Sequence, residues 1–323
     1  MSDLLHHFPV LLVALPLIAA PVCLLLRGAW AAHALATIVS WVTLGIAVEL
    51  LSEVLTYGTI TYWLGDWPPP IGIEYRIDKA NAFVAVVVAM ISAVVVPFGH
   101  NPKGAKIPEG KINLVYAAYL ACATGLLGIS VTGDLFNVYV FLEISSLAAY
   151  TLIGLGPSRK AAMSAFTYLM MGTIGGTVFL IGVGLLYAMT GTLNMADLAV
   201  RLPALEAEGL TTIQVAFAVM IVGLAIKLAV FPLHQWLPNA YTHAPSKISA
   251  FLAATATKVA FYVIARLVYS LFGREYAFGT LHLHWPLIPL SLAAMFIGST
   301  AAIFQLNIKR LLAYSSIAQI GYM

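Results

Sequence analysis

Charge is what this sequence has least of. Only 9% of its 323 residues are Asp, Glu, Lys or Arg, while 61% are hydrophobic, and an ordinary water-soluble domain carries about 25% charged residues. A soluble enzyme domain is therefore excluded, and the small formal net charge of +3 gives no electrostatic footprint for nucleic acid. Cysteine is nearly absent too. Cys23 and Cys122 stand far apart inside apolar runs, which rules out a disulfide framework or a zinc site and reads as two buried thiols. The start, "MSDLLHHF", lacks the basic opening of a secretory leader, and the apolar stretch behind it continues through Pro21, so it reads as a true helix. No Ser-His-acid arrangement, metal-ligand cluster or dinucleotide fingerprint occurs. The glycine-rich run "GTIGGTVFLIGVGLLYAMTG" from Gly172 to Gly191 lacks the strand and the Lys-Ser/Thr ending of a phosphate loop, and small residues of this kind serve close helix packing. No cofactor and no catalytic chemistry of the chain's own are expected.

What is abundant is long apolar runs. A bilayer core of about 30 Å takes roughly 20 helical residues to cross, and runs of that order cover residues 8–26, 31–55, 80–98, 112–131, 135–155, 161–189, 212–231, 246–271 and 286–306. A tenth begins at Lys309 and reaches Met323. Only helices and closed barrels satisfy their backbone in lipid, and these runs are continuous rather than alternating, so the fold class is an all-α, polytopic transmembrane bundle of about ten helices.

Charge in the links orients it. With the N-terminus outside, the inner side receives Arg27, Lys103, Lys106, Lys111, Arg159, Lys160, Lys247, Lys309 and Arg310, and the outer side Arg76, Lys79, Arg201, Arg266 and Arg274. The acids Asp66, Glu74, Asp78, Asp197, Glu206, Glu208 and Glu275 fall on the outer, less basic side. The positive-inside rule then selects a multi-pass protein of the inner (plasma) membrane with its N-terminus out. The longest outer link, "YGTITYWLGDWPPPIGIEYRID", alternates around a triple proline and suggests a small hairpin on the outer surface. Asp134 in "TGDLFN" stands where a helix cap is wanted.

Three charges lie neither in links nor near helix ends. Glu143 falls eight residues after Leu135, Lys227 fifteen after Thr212 and Lys258 twelve after Ser246, placing them about 12, 22 and 18 Å along their helices. A lone charge at such depth costs about 3 kcal/mol or more, so each needs a partner, a wet cavity or the means to shed its charge. Glu143 and Lys227 can pair. A buried lysine whose counter-ion can be withdrawn takes up or releases a proton, whereas a permanently closed pair would only order the bundle. Pro232 cannot donate to the carbonyl of Leu228, so the helix breaks beside Lys227, and Pro238 and Pro245 extend the irregular stretch. Discontinuous helices of this kind hold ion sites in transporters. His234, in "PLHQW", is a candidate relay; His243, in "YTHAP", is either a relay or a solvated residue near the inner surface.

At these residues the sequence resembles a known family. "TGDLFNVYVFLEISSLAAYTLIG", "AIKLAVFPLHQWLPNAYTHAPSKISAFLAATATKVAFYVIAR" and "IKRLLAYSSIAQIGYM" resemble the antiporter-like subunits shared by Mrp-type cation/proton antiporters and proton-pumping NADH dehydrogenases and hydrogenases. "GDWPPPIGIEYRID" and "LPNAYTHAP" look most like the D subunit of the Mrp antiporter. The resemblance implies that Glu143 matches the family's helix-5 glutamate, Lys227 its helix-7 lysine and Lys258 its helix-8 lysine, with His234 in the linking relay. It also implies a discontinuous seventh helix and inverted five-helix repeats. Residues 1–111 would then be a three-helix segment with the outer hairpin, 112–271 a complete first repeat and 272–323 the start of a second. Asn239 and Tyr241 depart from the acidic residue and histidine of many relatives, and the chain is shorter than the family's roughly fourteen helices.

The expected function is a proton-translocating subunit of a multisubunit Na⁺ or K⁺/proton antiporter, working with other hydrophobic subunits in the bilayer. Two alternatives stand beside it: the proton-pumping subunit of an NADH dehydrogenase or membrane-bound hydrogenase, and a non-transporting assembly scaffold.

Overall fold

The computed structural model describes residues 5–100, 109–207 and 211–323, so Lys103, Lys106 and Glu208 of the charge count lie outside the described residues. The helices, in chain order, are α1 (Phe8–Leu25), α2 (Ala29–Tyr57), α3 (Lys79–Val95), α4 (Ile112–Val131), α5 (Leu135–Gly154), α6 (Arg159–Thr190), α7 (Met195–Ala207), α8 (Thr211–Leu228), α9 (Trp236–His243), α10 (Ser246–Ala265), α11 (His284–Ile303) and α12 (Ile308–Tyr322). Among the described residues eight helical segments are long and apolar enough to cross a membrane, with α3 a shorter apolar one. The fold is an all-α polytopic bundle, and each expected span coincides with a helix. The chain is a multi-pass membrane protein.

The bundle is layered around α4. Within its most apolar stretch 89% of α4 is buried, against 17% for α11, so α4 is the axis and α11 lies at the rim. Cys122 on α4 and Cys23 on α1 are both buried thiols, as their apolar surroundings suggest. Capping sets where the central helices begin. The Asp134 carboxylate accepts from the backbone N–H of Asn137 at 2.7 Å and starts α5, and Ser158 accepts from Ala161 at the start of α6, each satisfying a helix-end donor that lipid cannot.

The hairpin forms where alternation places it. β1 (Ile60–Trp63) pairs antiparallel with β2 (Glu74–Ile77), Ile60 opposite Ile77 and Trp63 opposite Glu74. It does more than lie on the surface: Glu74, Tyr75 and Ile77 are buried, so β2 is set into the mouth of the bundle. The backbone N–H of Gly133 donates to the Glu74 carbonyl at 2.8 Å, and Asn194 Nδ2 donates to Glu74 Oε2 at 2.8 Å. A carboxylate held away from water requires such donors. Burial pushes the phenol of Tyr75 up to about 12.

The link after α6 carries a helix that the span pattern does not announce. Asn194 Oδ1 accepts from the N–H groups of Ala196 and Asp197, starting α7. Arg201 then pairs with Asp197 one turn earlier at 2.8 Å and donates to the Thr190 carbonyl at the end of α6. The hairpin, α7 and the start of α3 mark one end of the molecule. At the other, basic end, His33 bonds Tyr116 at 2.9 Å, Lys247 stands over the Tyr116 ring at 4.7 Å and Lys309 donates to the Ala244 carbonyl at 2.8 Å.

Candidate functional site

Glu143 on α5 and Lys227 on α8 meet, 84 residues apart in sequence, through an Nζ–Oε1 contact of 3.0 Å. The side chain of Lys227 is 5% exposed and that of Glu143 22%, so the lysine is the more deeply buried partner. A second donor bond runs from Lys227 Nζ to Ser146 Oγ at 2.8 Å. Sequence reasoning missed Ser146. The signal was available, because Ser146 lies three residues after Glu143 and so shares its helix face.

Glycines bring the elements close enough. A Cβ on Gly223 of α8 would fall 2.6 Å from the Gly175 carbonyl of α6, and one on Gly175 would fall 2.9 Å from the Gly223 carbonyl, so the two helices meet backbone to backbone. A Cβ on the next residue, Gly176, would strike Glu143 Oε1. The glycine-rich run therefore packs helices, as its composition suggests, and also leaves the space that the Glu143 carboxylate fills.

The expected break follows Lys227 directly. Helix α8 ends at Leu228, and Ala229 takes the left-handed conformation at φ 65°, which costs a residue with a Cβ about 1–2 kcal/mol. Freed carbonyls need donors at this depth. Val230 N–H donates to Ala225 O at 2.9 Å, and the Trp236 indole N–H donates to Ile226 O at 3.1 Å. The Trp236 ring is itself fixed by stacking on Tyr168 of α6 at 3.9 Å. The Ala225 and Ile226 carbonyls in the last turn before the break are thereby held by specific partners while α8 stops one residue past the lysine.

Lys258 on α10 is partly buried and donates to Ala253 O at 2.8 Å and Thr257 Oγ1 at 3.3 Å. These are neutral acceptors of its own helix, so it lacks the carboxylate that Lys227 has. Beside Lys227 lies a cavity of about 20 Å³ walled by Cys122 and Leu126 of α4, Ser145 and Ser146 of α5 and Ala256 of α10, and Lys258 is not part of its lining. That is room for about one water. His234 lies in the linker between α8 and α9, its ring against Phe231 at 5.2 Å, with Nδ1 buried and without a hydrogen-bond partner. His243, at the end of α9, bonds Ser164 Oγ at 3.1 Å and the Asn239 carbonyl at 3.0 Å. The structure thus brings Glu143, Ser146 and Lys227 into one cluster and leaves Lys258 and His234 outside it. Among the described residues no group of three or more His, Cys, Asp or Glu side chains is placed to hold a metal ion. The arrangement is suited to separating and rejoining an ion pair and to passing a proton at the ammonium.

Residues 132–323 match the family model described as NADH:quinone oxidoreductase/Mrp antiporter, transmembrane. The chain is 41% identical over 325 residues to the NADH-quinone oxidoreductase subunit N of Desulforudis audaxviator (strain MP104C), covering 98% of this chain and 63% of that protein. It is 32% identical over 278 residues to the Na⁺/H⁺ antiporter D subunit of Alkalihalophilus pseudofirmus, covering 86% of this chain and 55% of that protein. Its backbone superposes on a chain of the membrane-bound sulfane sulfur reductase, an archaeal respiratory membrane complex, with a TM-score of 0.86 and 33% identity, over 97% of this chain and 63% of that one. The chain therefore spans less than two thirds of the length of these relatives.

Proposed function

The chain belongs to the NADH:quinone oxidoreductase/Mrp antiporter transmembrane family, and from that premise we propose that it is a proton-translocating, antiporter-like subunit of a multisubunit membrane complex. The observation that carries this reading is the Glu143–Lys227 pair at 3.0 Å, buried where α8 breaks off. Withdrawal of the carboxylate leaves an ammonium that burial no longer allows to stay charged, and the proton leaves. Return of the carboxylate recharges it. Lys258, on the helix α10 that packs against α8, receives the proton next, and His234 carries it between the linker and these groups. Residues 112–271 form the repeat that contains the whole line, preceded by the segment 1–111 and followed by the opening of a second repeat in 272–323.

The partners are other hydrophobic subunits, and the ions are protons with Na⁺ or K⁺. The charge distribution favours the plasma membrane with the N-terminus outside. Cation exchange is the leading driver, supported by the antiporter relative from Alkalihalophilus pseudofirmus and the outer "GDWPPPIGIEYRID" motif. A redox driver is the second reading, favoured by the higher identity to an NADH-quinone oxidoreductase subunit.

Vesicles from cells that carry the native complex test both levels. Proton movement across the vesicle membrane is followed as release from the lumen after an external Na⁺ or K⁺ pulse and, separately, as uptake into inverted vesicles after a reductant such as NADH. Glu143→Gln and Lys258→Ala are each expected to abolish that movement while the amount of chain in the membrane stays unchanged. Full movement in either variant sinks the reading, and the driver that works in the wild type decides between exchange and redox.

A further inference from the structure

The line of buried groups has an apparent dead end at Lys258, yet α10 continues for two more turns toward the hairpin end. Residues four apart on a helix stack on one face, about 6 Å apart along the axis. Tyr262 and Arg266 follow Lys258 at that spacing. Their side chains form a connected set: Tyr262 Oη donates to the Ser130 carbonyl of α4 at 3.1 Å, Arg266 Nε donates to Tyr262 Oη at 2.8 Å, and the Arg266 guanidinium is paired with the Asp78 carboxylate that caps α3. Beyond this pair opens a cavity of about 490 Å³ lined by Arg76, Asp78, Thr132, Arg266 and Ser270, with α7 along one wall. Asp78 and Arg266 line that cavity and Tyr262 lies one turn below them, toward Lys258.

We propose that Tyr262, Arg266 and Asp78 form a gated proton passage between Lys258 and the cavity at the hairpin end, so that this chain connects its central lysine to that face by itself. The proposal rests on the proton-translocating reading of Lys258. The lysine head now points one turn the other way, to Ala253 O. Its flexible four-carbon stem lets it turn up the helix toward Tyr262. In the transfer step the Lys258 ammonium gives its proton to Tyr262 Oη, while the proton already on Tyr262 passes through a cavity water to the Asp78 carboxylate. The lysine becomes a neutral amine, the phenol is regenerated and Asp78 becomes the acid, which then releases the proton to the cavity. Arg266 keeps its protons throughout and is the gate rather than a carrier. Paired with Asp78, it sets a fixed positive charge across the route. Once Asp78 is protonated that hold weakens, and Ser270 Oγ, already 3.4 Å from Arg266 Nη1, offers an acceptor on the cavity side.

Two experiments on the full chain in its native membrane test this. First, Lys258→Cys is combined with Arg266→Gln, and reaction with a membrane-impermeant cationic methanethiosulfonate is timed from each face; the native thiols, both buried, set the baseline. The expected result is labelling from the hairpin face at least about tenfold faster than with Arg266 intact, and no change from the opposite face. Equal acceleration from both faces, or none from the hairpin face, overturns the proposal. Second, Tyr262→Phe keeps the ring and is expected to slow proton translocation about tenfold or more at an unchanged amount of chain, whereas a wild-type rate overturns the relay. Failure of the underlying function reading is distinguishable, because it would appear as undiminished translocation in Lys258→Ala regardless of the labelling result.

Discussion

At the scale of single residues the Glu143–Lys227 pair is balanced rather than strong. At 3.0 Å and an effective dielectric near 20 its attraction is about 5 kcal/mol, and desolvating the two ions costs several kcal/mol each. Additional hydrogen bonds decide whether such a pair is tolerable, which gives Ser146 its place. Its hydroxyl accepts from the ammonium at 2.8 Å, so Ser146→Ala leaves a buried charged donor short of a partner, at about 1–3 kcal/mol. The expected outcome is a lower melting temperature of the detergent-solubilised chain and slower proton translocation. Ser146→Thr, which keeps the hydroxyl, should restore both in part. Gly176 contributes by absence, since a side chain there would occupy the volume of the Glu143 carboxylate.

At the scale of elements, the break between α8 and α9 is built from one proline and one tryptophan. Pro232 ends the α8 ladder, and Trp236 supplies the indole N–H that the Ile226 carbonyl accepts. Trp236→Phe removes that donor and retains an aromatic ring against Tyr168. It is expected to destabilise the chain by about 1–3 kcal/mol, read as a fall in melting temperature. The helix α7 has a pH dependence of known sign. The Arg201 guanidinium beside Asp197 holds its carboxyl below the usual aspartate value. A carboxyl lowered in the folded state contributes stability above the unfolded value of about 3.9, and that contribution is lost as pH falls through the folded value. The pair is partly exposed, so its worth is small, and the expected readout is local: lower amide protection in α7 in acid, relative to the intrinsic exchange rate at each pH, with the protection of α4 unchanged. The spans were legible because continuous apolar runs have one solution in lipid, and the Pro232 break because a missing N–H is written in the sequence. Helix α7 was not legible. Its start is a cap from Asn194 and its anchor is the carbonyl of Thr190, neither of which shows in an apolar period.

At the scale of the whole molecule, the two ends are chemically different and the buried charges lie between them. The basic end gathers Lys247, Lys309 and His33, and the other end carries the hairpin, α7 and the Asp78–Arg266 pair. Glu143 and Lys227 could be picked out by their places in apolar runs, and they do meet. Partners separated widely in the chain were harder to read. Asp78 and Arg266 stand 188 residues apart, each near a helix end where a solvated charge is the ordinary expectation, and only the packing of α10 beside α3 joins them. The set-in position of β2 was hidden for the same reason, because its anchors Gly133 and Asn194 come from two distant links.

The central claim is that Lys227 gives up and regains a proton as its ion pair opens and closes. Lys227→Arg tests it most directly, because a guanidinium can still pair with Glu143 but does not deprotonate. Proton translocation by the assembled complex would be measured in membrane vesicles, with the amount of chain and its thermal stability as controls. The expected result is an assembled, folded chain that moves no protons. Translocation at the wild-type rate would contradict the account, because the pair would then be a fixed structural contact and the proton would travel elsewhere.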